Sequence, residues 1–361
     1  MENIHPEKKR LDEAGENLIF LICQPRSGST LLQYILAGHP RIHTLPEPWF
    51  MLHLLYGHRS EGLAAEYDAG TAHQALLSYL SATEGGRRLY IESVRAAALN
   101  LYQAALREPG KDLFLDKTPR YYLIVEDLRE MFPKARFIFL VRNPLAVLAS
   151  ILEPFRGDWT ALRRLDRMHD LVTAPRNIMR AANSGGRLSV ARYESLVMNT
   201  DASVSRMLEE LDIDRSPSLS TYTSFESELG DTKSVRTHSR PVTEYVDRWK
   251  QELNSAEKRD VAHSYLDELG EELLEWLGYP YRELSDQLGI ARQARNAGSR
   301  WAMLQTPDDE LRWWQRIRLS FVRSRHQRGA WRTILRGAYI VLVGRAPRRH
   351  NPRDHIDRRP V

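Results

Sequence analysis

The stretch LIFLICQPRSGSTLLQYILAG, residues 18–38, constrains this chain more than any other. Its six leading apolar residues read as a strand buried on both faces, the pattern of a parallel sheet covered by helices. After the loop QPRSGST, Leu31, Leu32, Ile35 and Leu36 fall at helical spacing, with Gly38 and Pro40 as stop signals. The layout returns at FIFLV, residues 137–141, followed by RNPLAVLASIL, where Pro144 suits a first helical turn. It returns again at LSVARY, residues 188–193, ahead of SLVMNTDASVSRMLEEL. Strands alternating with helices predict an α/β fold with a mostly parallel sheet flanked by helices. Residues 71–82 and 92–107 read as amphipathic helices, which predicts a helical insertion over about 60–110.

Charge divides the chain. Residues 286–361 hold 17 Arg, no Lys and 6 acids, a net +11, whereas residues 1–285 carry 35 bases against 41 acids, a net −6. This predicts an N-terminal extension over 1–17, an α/β domain over 18–285 and a basic helical C-terminal extension over 286–361. Within the last, residues 311–343 interleave Trp313, Trp314, Phe321, Trp331 and Tyr339 with arginines. That mixture suits a helix lying against a membrane surface or anionic lipid, and equally a helix packed on the acidic body. No nucleic-acid module accompanies the charge, so a nucleic-acid partner is not expected. Cys23 is the single cysteine, which excludes an intrachain disulfide and a Cys-based zinc site. With no signal-like N-terminus and no apolar run near the roughly 18 residues of a spanning helix, the expected location is cytoplasmic, with peripheral membrane contact through the tail as the open question. The 12 His form no metal-ligand spacing, and no metal is expected.

The loop Gln24-Pro25-Arg26-Ser27-Gly28-Ser29-Thr30 joins a buried strand to a helix N-terminus, where free N–H groups and the helix dipole favour an anion. Gly28 permits close backbone approach, Ser29 and Thr30 offer hydroxyls, and Arg26 adds a charged fork. The Walker Lys is absent, and the FIFLV strand lacks the terminal Asp that would hold Mg²⁺. Arg142 follows that second strand directly, and Ser150 stands eight residues on, about two helical turns into the next helix. If the two strands are neighbours, Arg142 and Ser150 can clamp a second phosphate at the carboxyl edge of the sheet.

PRSGSTLL and VRNPLAVLAS, about 115 residues apart, together resemble the two nucleotide-binding motifs of the sulfotransferases that use 3′-phosphoadenosine 5′-phosphosulfate (PAPS). The resemblance spans roughly residues 18–280 and is nearest to the tyrosylprotein and related bacterial branch. It implies a P-loop-like fold and a sulfuryl transfer from PAPS to a hydroxyl acceptor: a glycan, a lipid-linked metabolite or a tyrosine. It also implies roles. Arg26, Ser27, Gly28, Ser29 and Thr30 bind the 5′-phosphosulfate, Arg142 and Ser150 the 3′-phosphate. Glu47, in GHPRIHTLPEPWFML, is the general base, and Lys117, in LFLDKTPRYY, assists at the phosphosulfate. Tyr193 lies near the adenine, and the late loop contributes Arg240, with Trp249 at its end. Without the family pattern, Glu47 reads as a solvated loop acid, Lys117, after Asp116, as half of a surface ion pair, and Tyr193 and Trp249 as core aromatics. The competing functions are a P-loop kinase for a small molecule and a non-catalytic membrane-associated nucleotide-binding protein.

Overall fold

The computed structural model describes residues 11–289 apart from 64, 107–109, 157, 159–161, 163–164 and 216–239. The expected basic extension, including residues 311–343, therefore lies outside the described residues from position 290 onward, as does the N-terminal extension up to residue 10. The described elements fall in one of two compact units of the chain, Met1–Leu63 with Asp68–Gln305.

In chain order the first half runs β1 (Leu18–Cys23), α1 (Ser29–Ala37), β2 (Ile42–Thr44), α2 (Phe50–Tyr56), α3 (Ala69–Ser81), α4 (Gly86–Ala105) and β3 (Leu113–Lys117). It continues with α5 (Val125–Met131), β4 (Arg136–Val141), α6 (Pro144–Leu152), α7 (Leu165–Met168), a π-helical turn (His169–Thr173) and α8 (Ala174–Asn183). Then come β5 (Leu188–Arg192), α9 (Tyr193–Met198) and α10 (Thr200–Glu210). Four helices follow the late loop, at Arg248–Glu252, Ala256–Leu269, Glu271–Leu277 and Tyr281–Gln287.

The described strands form one sheet in the order β2-β3-β1-β4-β5, every pair parallel. The register sets Leu21 beside both Lys117 and Ile138, so β1, β3 and β4 end together at one carboxyl edge. Every residue of β1 and β4 is buried, as a sheet covered on both faces requires. Side-chain alternation splits the core in two. Phe20, Ile22, Phe114, Phe137 and Phe139 face the layer holding α4, α5, α6 and α8, while Ile19, Leu21, Leu115, Ile138 and Leu140 face α1, α9 and α10.

The strands expected from the apolar runs are β1, β4 and β5. β2 and β3 are two more that those runs do not announce. The helical insertion is present as α3 and α4, and α4 begins at Gly86, earlier than residue 92, because Gly85 takes the left-handed backbone (φ 89°) that opens the helix. α4 is pinned to the core by Ile91, Val94, Ala98 and Tyr102 at helical spacing. Among the described residues no helix is long and apolar enough to cross a membrane.

Candidate active site

β1 delivers the phosphate-type loop to the carboxyl edge. Left-handed backbone at Arg26 (φ 73°) and Gly28 (φ 88°) turns the chain sharply between strand and helix. For Arg26 that conformation is strained, and such strain concentrates at functional sites. α1 opens with neither a capping side chain nor an acid in its first turn, so its leading N–H groups and dipole point unneutralised at the edge. Gly28 has a further constraint, since a Cβ there would run into the Tyr193 ring. That ring in turn carries the Arg142 guanidinium 4.3 Å from its centroid. Gly28, Tyr193 and Arg142 form one stack.

On the β4 side Arg142 Nη1 donates to the Arg26 carbonyl at 2.8 Å and Nη2 to the Tyr245 carbonyl at 3.2 Å. Asn143 caps α6 by accepting from the Leu145 N–H at 2.9 Å, and its own N–H donates to Glu194 at 3.1 Å. α6 presents Ser150, whose hydroxyl accepts from Arg26 Nε at 3.0 Å. The Arg26 fork therefore reaches toward Ser150 and Glu153 rather than toward Lys117, with Nη2 3.8 Å from Glu153. Among the described residues, Ser27 Oγ and Arg142 Nε are buried polar atoms without a hydrogen-bond partner. Orphaned donors in the loop after β1 and at the end of β4 fit anionic ligand groups, which would satisfy them.

On the β3 side Lys117 and Glu47 make an ion pair of 2.5 Å, with side chains 1% and 9% exposed. Lys117 Nζ also lies 3.5 Å from Thr30 Oγ1, which joins the pair to the first turn of α1. The second carboxylate oxygen of Glu47 accepts from Trp49 Nε1 at 2.9 Å. The segment carrying Glu47 is held at both ends. Gln33 donates to Thr44 Oγ1 at 2.8 Å and to the Leu45 carbonyl at 2.9 Å, and beyond Trp49 the Met51 N–H donates to Tyr121 Oη at 3.3 Å. Behind Lys117, Asp116 points to the opposite face, where it accepts from Tyr102 at 2.7 Å and Thr118 at 2.9 Å. Burial pushes the Asp116 carboxyl up to about 6 and the Cys23 thiol, at the end of β1, up to about 12.

The fold thus gathers Arg26, Ser27, Gly28, Ser29, Thr30, Glu47, Lys117, Arg142, Ser150 and Tyr193 along one sheet edge. Arg240 is exposed and borders residues 216–239, which lie outside the described set, while Tyr245 further along returns to Arg142. Trp249 is 3% exposed and belongs to the apolar core. Lys117 pairs with Glu47 and not with its neighbour Asp116, because side chains alternate across β3. Sequence reasoning missed Trp49, Arg120, Asp170 and Glu194. Trp49 and Arg120 carry a weak signal, standing two and three residues from Glu47 and Lys117, whereas Asp170 carries none. Among the described residues no group of three or more His, Cys, Asp or Glu is placed to hold a metal ion.

A family profile described as the sulfotransferase family matches residues 18–217, which contain the loops after β1 and β4, Glu47 and the end of β3, but not the late loop with Arg240 and Tyr245. The chain belongs to the sulfotransferase family. It is 30% identical over 288 residues to the nodulation protein NoeE of Sinorhizobium fredii, an alignment covering 73% of this chain and 66% of that one, just under two thirds of the relative's length. Among solved structures it resembles the sulfotransferase domain of the Synechococcus PCC 7002 olefin synthase, at 26% identity and TM-score 0.49, over 76% of this chain and 97% of that one. A sulfotransferase domain of the curacin biosynthetic pathway is similar at 23% identity and TM-score 0.47, over 75% of this chain and 99% of that one.

Proposed function

We propose that this chain transfers a sulfuryl group from PAPS to a hydroxyl acceptor, with Glu47 as general base and Lys117 as the cation that accompanies the departing phosphate. The observation that carries this reading is the buried Glu47–Lys117 pair, set at 2.5 Å beside the uncapped N-terminus of α1. Membership of the sulfotransferase family supports the reaction class and PAPS as co-substrate.

The residues divide the work as follows. The α1 N–H groups, Ser27, Ser29 and Thr30 bind the phosphosulfate end, and Arg142 with Ser150 binds the 3′-phosphate, Tyr193 flanking the nucleoside between them. Glu47 removes the acceptor proton as the acceptor oxygen bonds to sulfur and the sulfur–oxygen bond to the phosphate breaks. Protonation of Glu47 weakens its hold on Lys117, whose charge is then released toward the oxygen that leaves. The base and the cation at the leaving group are coupled through one ion pair, so charge moves with the reaction instead of being stranded in a site of low dielectric. The acceptor is a glycan, a lipid-linked metabolite or a tyrosine.

Glu47→Gln tests the assignment. It keeps an oxygen for Lys117 and removes the base, so labelled-sulfate transfer from PAPS to cell-extract acceptors should fall on the order of 10²- to 10⁴-fold. Binding of adenosine 3′,5′-bisphosphate should persist. Full transfer by the variant would reject Glu47 as base, and a preference for ATP with Mg²⁺ over the bisphosphate would reject the co-substrate.

A further inference from the structure

A chain of contacts runs from Glu47 to a buried carboxylate that the transfer itself does not use. Asp170 sits on the π-helical turn, 3% exposed. Its carboxylate takes the Arg120 fork, Nε to Oδ1 at 3.0 Å and Nη2 to Oδ2 at 2.6 Å, and also accepts from Tyr122 Oη at 2.7 Å. The Arg120 guanidinium stands 5.7 Å from the Trp49 ring centroid, within range of a cation–π contact. Trp49 Nε1 donates to one Glu47 oxygen, and Lys117 holds the other.

We propose that Arg120, clamped by Asp170, is a positioning residue that fixes the orientation of the Glu47 carboxylate through Trp49. The inference rests on Glu47 being the base and adds what aims it. A carboxylate held by Lys117 alone has one anchored oxygen and can still pivot about that contact. A second donor on the other oxygen stops that rotation and leaves one defined set of lone pairs for the acceptor proton. Trp49 cannot supply this unaided, since it is half-buried and opens α2 with left-handed backbone (φ 56°), a conformation that persists only when its surroundings enforce it. The bidentate Arg120–Asp170 grip is the enforcing contact. A buried ion pair contributes little net stability compared with apolar packing, so geometry is the better reason for this one. The same π-turn also holds the phosphate-type loop, because the Asp170 and Leu171 carbonyls accept from Gln24 Nε2 at 3.2 and 3.3 Å. One irregular turn thereby references base and loop to a common frame, a use to which π-turns at functional sites are suited.

The test reads Trp49 directly in the full chain labelled with ¹⁵N-tryptophan, which has 8 indole signals. Trp49→Phe assigns the signal. In Arg120→Met and Asp170→Asn, hydrogen exchange of the Trp49 indole should rise about tenfold, the worth of one hydrogen bond to a charged group. Adenosine 3′,5′-bisphosphate should bind as in the wild type, and transfer should fall on the order of 10²-fold in kcat with KM for PAPS unchanged. Arg120→Lys keeps the charge, loses the fork and should give an intermediate result. A Trp49 signal and exchange rate unchanged in Arg120→Met and Arg120→Lys would overturn the proposal, including in the event that Asp170→Asn does not fold. Failure of Glu47 as base is a separate result, read from transfer by Glu47→Gln and not from the indole.

Discussion

The two sides of the sheet edge are built on different physics. On the β4 side the groups are backbone donors, hydroxyls and a partly exposed Arg142 that rests on Tyr193 and on main-chain carbonyls. On the β3 side they are a cation and a carboxylate taken out of water together. The first arrangement spends little to stand ready, because helix-terminal N–H groups lack intrahelical partners in any case. The second is poised at higher cost, since each charge depends on the other to remain in the interior. A set of separable contacts and a coupled charge pair thus sit side by side, the first expected to tolerate single losses and the second not.

Lys117→Met probes that contrast most severely. It strands Glu47, so stability should drop by about 3–5 kcal/mol in urea titration, and adding Glu47→Gln should restore most of it. Independent losses in the double variant would show that the pair is not the unit described.

Asp116 sharpens the same side through pH. Its folded value of about 6 lies above the ordinary 3.8, so its contribution is fully present below 3.8 and is lost as pH rises through 6. Across that window the wild type should lose about 3 kcal/mol that Asp116→Asn does not lose, as read from urea midpoints.

Arg142→Met tests the tolerant side. Affinity for adenosine 3′,5′-bisphosphate should weaken by about 2–3 kcal/mol in calorimetry, with the melting temperature nearly unchanged. A melting loss comparable to that of Lys117→Met would abolish the distinction between the two sides. The smallest effect belongs to Gly28→Ala, where positive φ and the Tyr193 ring together should cost about 1–3 kcal/mol. Relief of that cost by Tyr193→Ala would identify the ring as its source.

Legibility followed the same division. β1, β4 and the loops after them announce themselves because an apolar run followed by a Gly- or Pro-marked helix start is a local pattern. β2 is only three residues long, and β3 reads LFLDK, whose final charges contradict a buried strand until their partners are known. Asp116 is accommodated by Tyr102 and Thr118, and Lys117 by Glu47, 70 residues away. Such pairings leave no periodicity. Asp170 was invisible for the same reason, since its Arg120 partner stands 50 residues earlier in the chain.

The insertion between β2 and β3 has its root at Glu47 and its bulk in α3 and α4. α3 buries only Leu80 among its side chains, and its main neighbour is α4. Descendants of this chain are therefore free to lengthen, trim or repaint α3, while α4, seated on the core by Ile91, Val94, Ala98 and Tyr102, is not open to the same change.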